Sequence, residues 1–135
     1  TRFPAYATSL GRVLMAARDD AGIDRTLAAL SPQSFTDKTV TDTGTLREIL
    51  LAVRQQGYAS IQDELDYGIV SVAVPVHGDD GTVVAAINCS TATTRVNEAE
   101  MVETRLPHLR RAAAAIEAEL RRYPVLLHSI TGASA

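Results

Sequence analysis

The side chains able to do chemistry in this chain are few and dispersed. One cysteine, Cys89, and three histidines, His77, His108 and His128, are the candidates for nucleophile, base or metal ligand. A thiol nucleophile needs a base within hydrogen-bond reach, and a metal needs several ligands at short spacing. Neither arrangement is written here, because His77 sits in a turn, His108 follows Pro107 and His128 belongs to the tail. A lone cysteine closes no internal disulfide and no thiolate zinc cluster. A small enzyme using Cys89 with His77 or His108 as base stands as an alternative; the reading adopted is no catalytic residue, no metal and no cofactor. The polar groups that do converge are Ser71, Asn88 and Ser90, and they do so only if a hairpin brings them together.

That hairpin is strongly signalled. Ile69 to Val76 and Thr82 to Ser90 are β-branched, apolar runs separated by Gly78, Asp79, Asp80 and Gly81, a turn by residue type. A four-residue loop pairs His77 with Thr82, and Ser71 then faces Asn88. Ile69 with Ser90, Ala73 with Ala86 and Pro75 with Val84 share that face, because side chains alternate along a strand. The other face, Val70, Val72, Val74 and Val76 against Val83, Ala85, Ile87 and Cys89, is wholly apolar and suits a covering helix. Cys89 thereby falls among apolar groups, where a thiol is usually inert. The polar face is either solvent-exposed, as in most antiparallel sheets, or the wall of a small polar-ligand pocket, which its small side chains and lack of charge favour. A slip of one residue would scatter the three polar groups between faces.

Other elements follow from periodicity and punctuation. Leu10, Val13, Leu14 and Ala17 give a first helix over Ser9 to Ala17, stopped by Asp19, Asp20 and Gly22. Asp24 is expected to cap a second helix, Arg25 to Leu30, ended by Ser31 and Pro32. Phe35 to Thr43 reads as threonine-rich loop or strand. Thr45 and Glu48 are spaced as a capping box for a helix carrying Leu46, Ile49, Leu50 and Val53, with Gly57 as its stop. Tyr58 to Ile61 suits a brief strand, and Gln62 to Tyr67, holding Asp63, Glu64 and Asp66, reads as a solvated loop. Asn97 and Glu100 open the last helical region, with Val96 and Met101 placed to staple its entry. Its stripe runs through Leu106, Leu109, Ala113, Ile116 and Leu120 to Tyr123 and Pro124, with Pro107 either kinking it or opening a second helix. Gly132 to Ala135 is expected to fray.

Bulk properties agree with one soluble domain. Of 135 residues 46% are hydrophobic and only 4% aromatic, with 13 basic against 16 acidic side chains and a formal charge of −3. Such a chain has no basic cluster with which to neutralise nucleic-acid phosphates. No apolar run approaches the roughly 18–20 residues of a membrane span, and Thr1 to Ala7 holds no signal-peptide core. A cytoplasmic protein without membrane contact is expected.

Three stretches taken together resemble the effector-binding domain of the IclR family of bacterial transcription regulators: RFPAYATSLGRVLMAA, VRQQGYASIQDELDYGIVSVAVPV, and GTVVAAINCSTATTR with LPHLRRAAAAIEAEL. The wording PAYATSLGRVL and GYASIQDEL is most similar to the subgroup responding to protocatechuate, β-ketoadipate and related aromatic-catabolic acids. The resemblance implies an α+β, GAF-like antiparallel sheet with flanking helices, whose concave side holds a small organic acid. It implies a homodimer or tetramer, with DNA bound only through an N-terminal winged helix. Residues 1–135 would then be the sensor domain, N-terminally truncated and lacking its first strands, the exposed edge being covered by another piece or a neighbouring chain.

Carried over position by position, the family's ligand contacts fall on Ser9, Leu10, Ile61, Ser71, Asn88 and Ser90. Three of these are the hairpin residues derived above. At Ile61 the family often carries an acidic residue, so the pocket here is less polar. The helix start at Ser9 favours a carboxylate through its free amides and dipole. Arg12, one turn on, could pair with that carboxylate or lie across the surface. The function implied is ligand sensing and oligomerisation, with a ligand-free dimerisation module as the other reading, since the alanine-rich Leu106 to Leu120 helix would permit close helix approach.

Overall fold

The computed structural model describes residues 2–131. A single 3-10 turn, Ala5–Ala7, leads into α1 (Ser9–Ala16), α2 (Asp20–Ala29) and α3 (Thr43–Gln56). Then come β1 (Ala59–Gln62), β2 (Ile69–His77) and β3 (Val83–Ala92), followed by α4 (Glu98–Thr104), α5 (Leu106–Arg122) and α6 (Pro124–Thr131). The strands form one antiparallel sheet in the order β1-β2-β3. This is the expected α+β class. The tail expected to fray at Gly132 to Ala135 lies outside the described residues.

The sheet divides two clusters of apolar side chains. Val70, Val72, Val74 and Val76 pack with Met101 of α4 and with Leu106, Leu109, Ala113 and Leu120 of α5, so the wholly apolar face lies under helices as its composition requires. Val96 joins that cluster beside Met101. On the other face Ala59 and Ala73 pack with Val13, Met15 and Ala16 of α1 and with Leu46, Leu50 and Val53 of α3. Small residues at those sheet positions let α1 come close. Pro107 opens α5 rather than kinking one long helix, since its missing amide costs nothing in a first turn. Tyr123 ends α5, and Pro124 starts α6 in the same way; that last helix was not anticipated from the apolar stripe.

Two helix starts differ from expectation. Asp19, not Asp24, caps the second helix: its Oδ1 accepts from the Gly22 amide at 2.7 Å. Gly22 is therefore inside α2 instead of stopping α1, and Asp24, one turn further, pairs with Arg47 at 2.8 Å. For α3 the cap is Asp42, which accepts from both the amide and the hydroxyl of Thr45 at 2.8 Å. The Thr45 hydroxyl is consumed as a donor, so no Thr45–Glu48 box forms. Each start lies upstream of the expected one because an aspartate with an available third-residue amide competes well for the cap. Gly57 ends α3 in the left-handed conformation, φ 81°, and Asn97 with Glu100 caps α4 as expected.

The hairpin register also differs, by two residues. Ser71 pairs with Ser90, Ala73 with Asn88 and Pro75 with Ala86, with an irregularity between Val76 and His77. Thr82 is drawn into the loop: its carbonyl accepts from the Gly78 amide at 2.8 Å, and its amide and hydroxyl both donate to Asp80. An even shift returns every side chain to its original face. Only beyond the irregularity do faces exchange, so Val84 packs on the α5 side while Val83 lies with Pro75 and His77 beside α1 and α3.

Several of these contacts titrate together. Asp20 is held below the usual carboxylate range first by its hydrogen bond from Arg54, Asp42 by the Thr45 amide and hydroxyl, and Asp80 by the Thr82 hydroxyl and amide. In each case the unfolded chain takes up a proton before the folded one as the pH falls. The stabilisation is complete above the unfolded value near 4 and is lost as pH passes down through the folded values. The contribution of these three contacts to the urea midpoint is expected to be lost as the pH falls below about 4. A midpoint unchanged across that acid range would contradict these three contacts.

Candidate functional site

A cavity of about 370 Å³ lies between the start of α1, the sheet and the loop joining β1 to β2. This is within the size range of small-ligand sites, about 300–1,000 Å³. Ser9 and Leu10 reach it from α1, Ile61 from β1, Ser71 from β2, and Asn88 and Ser90 from β3. All six residues carried over by resemblance thus border one space. The sheet register accounts for this: Ile61 pairs with Ser71 and Ser71 with Ser90, making one row across three strands, with Asn88 in the neighbouring row. Phe3 and Ile69, both largely exposed, stand at the same cavity.

The floor is polar and nearly buried. Ser9 and Ser71 are 1% and 7% exposed, and their hydroxyls are 2.7 Å apart. Above them α1 begins with Thr8 as its cap. The Thr8 hydroxyl accepts from the Gly11 amide at 3.0 Å and the Thr8 carbonyl from the Arg12 amide at 3.0 Å. An α-helix leaves its first four amides without an intrahelical acceptor; here those of Thr8 and Gly11 donate to the Ala5 carbonyl and the Thr8 hydroxyl, and Ser9 and Leu10, whose amides have no such partner, border the cavity. No acidic residue occupies that first turn, so the positive end of the helix dipole is uncompensated by its own sequence.

Arg12 does not join the site. Its side chain is 3% exposed, with Nη1 and Nη2 donating to the two carboxylate oxygens of Glu64 at 3.0 and 2.6 Å and Nε donating to the Tyr6 carbonyl at 2.8 Å. It is not among the residues lining the cavity and it does not lie across the surface, because the guanidinium has a bidentate partner inside the protein.

That partner exposes a second misreading. The stretch Asp63 to Asp66, in the β1–β2 loop, is the cavity's third wall and not a loosely solvated loop. Glu64 is 12% exposed and also accepts from the Val40 amide. The carbonyls of Asp63 and Glu64 accept from the Thr36 and Thr39 hydroxyls, and Tyr67 donates to Asp37. Asp63 adopts a φ of 59°, tolerable for aspartate because its short side chain bonds locally. Its carboxylate accepts from the Gly68 amide at 2.7 Å, which with Gln62 and Lys38 holds it below the usual carboxylate range despite partial burial. The one sequence signal for this wall was Leu65, an apolar residue within a charged run.

The family model for the bacterial transcriptional regulator IclR C-terminal region matches residues 1–118. The chain belongs to that family. This IclR C-terminal domain is 39% identical over 108 residues to the Pca regulon regulatory protein of Pseudomonas putida, covering 80% of this chain and 37% of that protein. The fold is similar to a transcriptional regulator from Rhodococcus sp. RHA1, with TM-score 0.86 and 41% identity over 89% of this chain and 49% of that one. It is similar also to the inducer-binding domain of a PobR double mutant from Acinetobacter in complex with 3-hydroxybenzoic acid, with TM-score 0.83 and 35% identity, covering 87% and 67%. The chain spans about two-fifths of the curated relatives it matches, 37% and 41% for the first two.

In this IclR domain the thiol and the imidazoles stand apart from the cavity. Cys89 is on the opposite face of β3, where with Arg105, His108 and Leu109 it borders a shallow depression. His77 lies 3.5 Å from Glu117 at the hairpin end, and His108 contacts Arg111 at 2.7 Å. Among the described residues no three His, Cys, Asp or Glu side chains are grouped to hold a metal. No described helix is long and apolar enough to cross a membrane.

Proposed function

We propose that this domain is the sensor of a bacterial transcription regulator, and that the cavity takes a small organic acid of the aromatic or dicarboxylic kind. No bond of the ligand is made or broken. The observation that carries the reading is the meeting of a helix start, two buried serine hydroxyls and the Asn88 and Ser90 side chains around a single small cavity. An acid bound there would tie α1, β2, β3 and the Asp63–Asp66 wall to one another. Its binding energy can then shift the population of subunit arrangements that a DNA-binding winged helix reads. Assembly as a homodimer or tetramer belongs to the same proposal, DNA being contacted only by that winged helix. The kinship to regulators of aromatic-acid catabolism supports the ligand class.

Isothermal calorimetry against a panel of hydroxybenzoates and dicarboxylates tests it. At least one acid is expected to bind, and Ser71→Ala or Asn88→Ala is expected to weaken it about tenfold, the value of one hydrogen bond to a charged group. Unchanged affinity in both variants would remove the assigned site. No heat and no thermal shift across the panel would remove the proposal.

A further inference from the structure

We infer that the cavity selects acids bearing one carboxylate, with a hydrogen-bond donor at the far end, over their dicarboxylate counterparts. This rests on the cavity being an effector site and narrows what that site accepts.

The charges of the walls lead there. No lysine, arginine or histidine lines the cavity. The cation that the sequence offered, Arg12, has its guanidinium engaged by Glu64 and Tyr6. A ligand carboxylate must therefore be received by neutral donors, which come from the helix start and from β2 and β3, where Asn88 and Ser90 add a side-chain amide and a hydroxyl, and not from the β1–β2 loop. The amides of Ser9 and Leu10 point out of the helix start. Beside them, the hydroxyls of Ser9 and Ser71 hold two protons between them. One proton is spent in their mutual 2.7 Å hydrogen bond, and the second remains for an acceptor in the cavity. That is enough for one carboxylate.

The wall formed by the β1–β2 loop has the opposite character. Asp63, Glu64 and Asp66 all border the cavity. Glu64 is neutralised by Arg12, and Lys38 approaches Asp63 at 3.6 Å. Asp66 has no cationic partner among the described residues. A second ligand carboxylate directed at this wall would meet carboxylates, and it would give up hydration with no cation in exchange. A hydroxyl in the same place can donate to these carboxylates. Between the two ends Leu10, Ile61, Leu65 and Ile69 bound the space, which suits an apolar ligand body. Ile61 is itself buried, so the middle of the site contributes no charge of either sign.

Matched ligand pairs test this on the intact chain, by calorimetry and thermal shift. The pairs are 3-hydroxybenzoate with benzene-1,3-dicarboxylate, 4-hydroxybenzoate with benzene-1,4-dicarboxylate, and 4-hydroxybutyrate with succinate. In the pair that binds, the monocarboxylate is expected to be tighter by about tenfold or more, and the exposed-site variant Asp66→Asn is expected to narrow that gap by about threefold, mainly by strengthening the dicarboxylate. A dicarboxylate binding as tightly as its partner would overturn the selectivity and leave the sensor reading intact. So would a gap that neither Asp66→Asn nor Asp63→Asn alters. Failure of every member of all three pairs to bind would overturn the sensor reading, and the selectivity with it.

Discussion

Replacing Glu64 by alanine is expected to lower the unfolding free energy by about 3–5 kcal/mol, the range for removing one partner of a buried ion pair. The size follows from what is left behind. Arg12 is 3% exposed and cannot lose its charge, so without Glu64 its two terminal nitrogens face neither water nor an acceptor. The Val40 amide loses its acceptor as well. A surface pair would cost only about 0–1 kcal/mol, so urea unfolding distinguishes the two cases. The double variant Arg12→Met with Glu64→Leu is expected to recover much of the loss, since an apolar pair of similar volume has no charge to desolvate. A Glu64→Ala loss below about 1 kcal/mol would mean that solvent reaches the pair.

Gly11→Ala is expected to destabilise by about 2–3 kcal/mol and to abolish ligand binding, although alanine is the better helix former by about 1 kcal/mol. Space decides the sign. Gly11 lies against the preceding 3-10 turn so closely that a methyl group would overlap the carbonyl oxygen, Cα and carbonyl carbon of Ala5. Those are backbone atoms and cannot rotate away. Relief requires the turn at Ala5–Ala7 to move, which displaces Ala7 from the core and shifts the Tyr6 hydroxyl from Gln33, its partner at 2.7 and 2.9 Å. The amides of Ser9 and Leu10 would move with it. Gly44→Ala makes the control, because a Cβ there meets only the Asp42 side chain at 3.3 Å, and its effect should stay within about 1 kcal/mol. Equal effects of the two substitutions on urea midpoint and on calorimetric affinity would refute the close-approach explanation.

The hairpin shows how much of the site was legible before the fold. Alternation assigned Ser71, Asn88 and Ser90 to one face, and this survived a register shifted by two because the period of a strand is two. The loop length was not legible, since whether Thr82 pairs or turns depends on Asp80 capturing its amide and hydroxyl. The existence of every helix but α6 was equally clear, and helix starts were not. Asp19 and Asp24, or Asp42 and Thr45, are all competent caps; with Asp19 at the cap, Asp24 is left to pair with Arg47, and with Asp42 at the cap, Thr45 becomes its donor.

Local chemistry and periodicity, which act over a few residues, were determined by the sequence alone: the helical and strand segments, the apolar and polar faces of the hairpin, and the kinship with a regulator family. The fate of charges was decided only by tertiary structure. Arg12 and Glu64 are 52 residues apart in the chain, and neither residue's surroundings in sequence mark it for the other. Whether the arginine would serve a ligand, the solvent or a carboxylate depended on where the β1–β2 loop came to rest against α1. That placement set the charge of the cavity, and with it which acids the domain can be expected to sense.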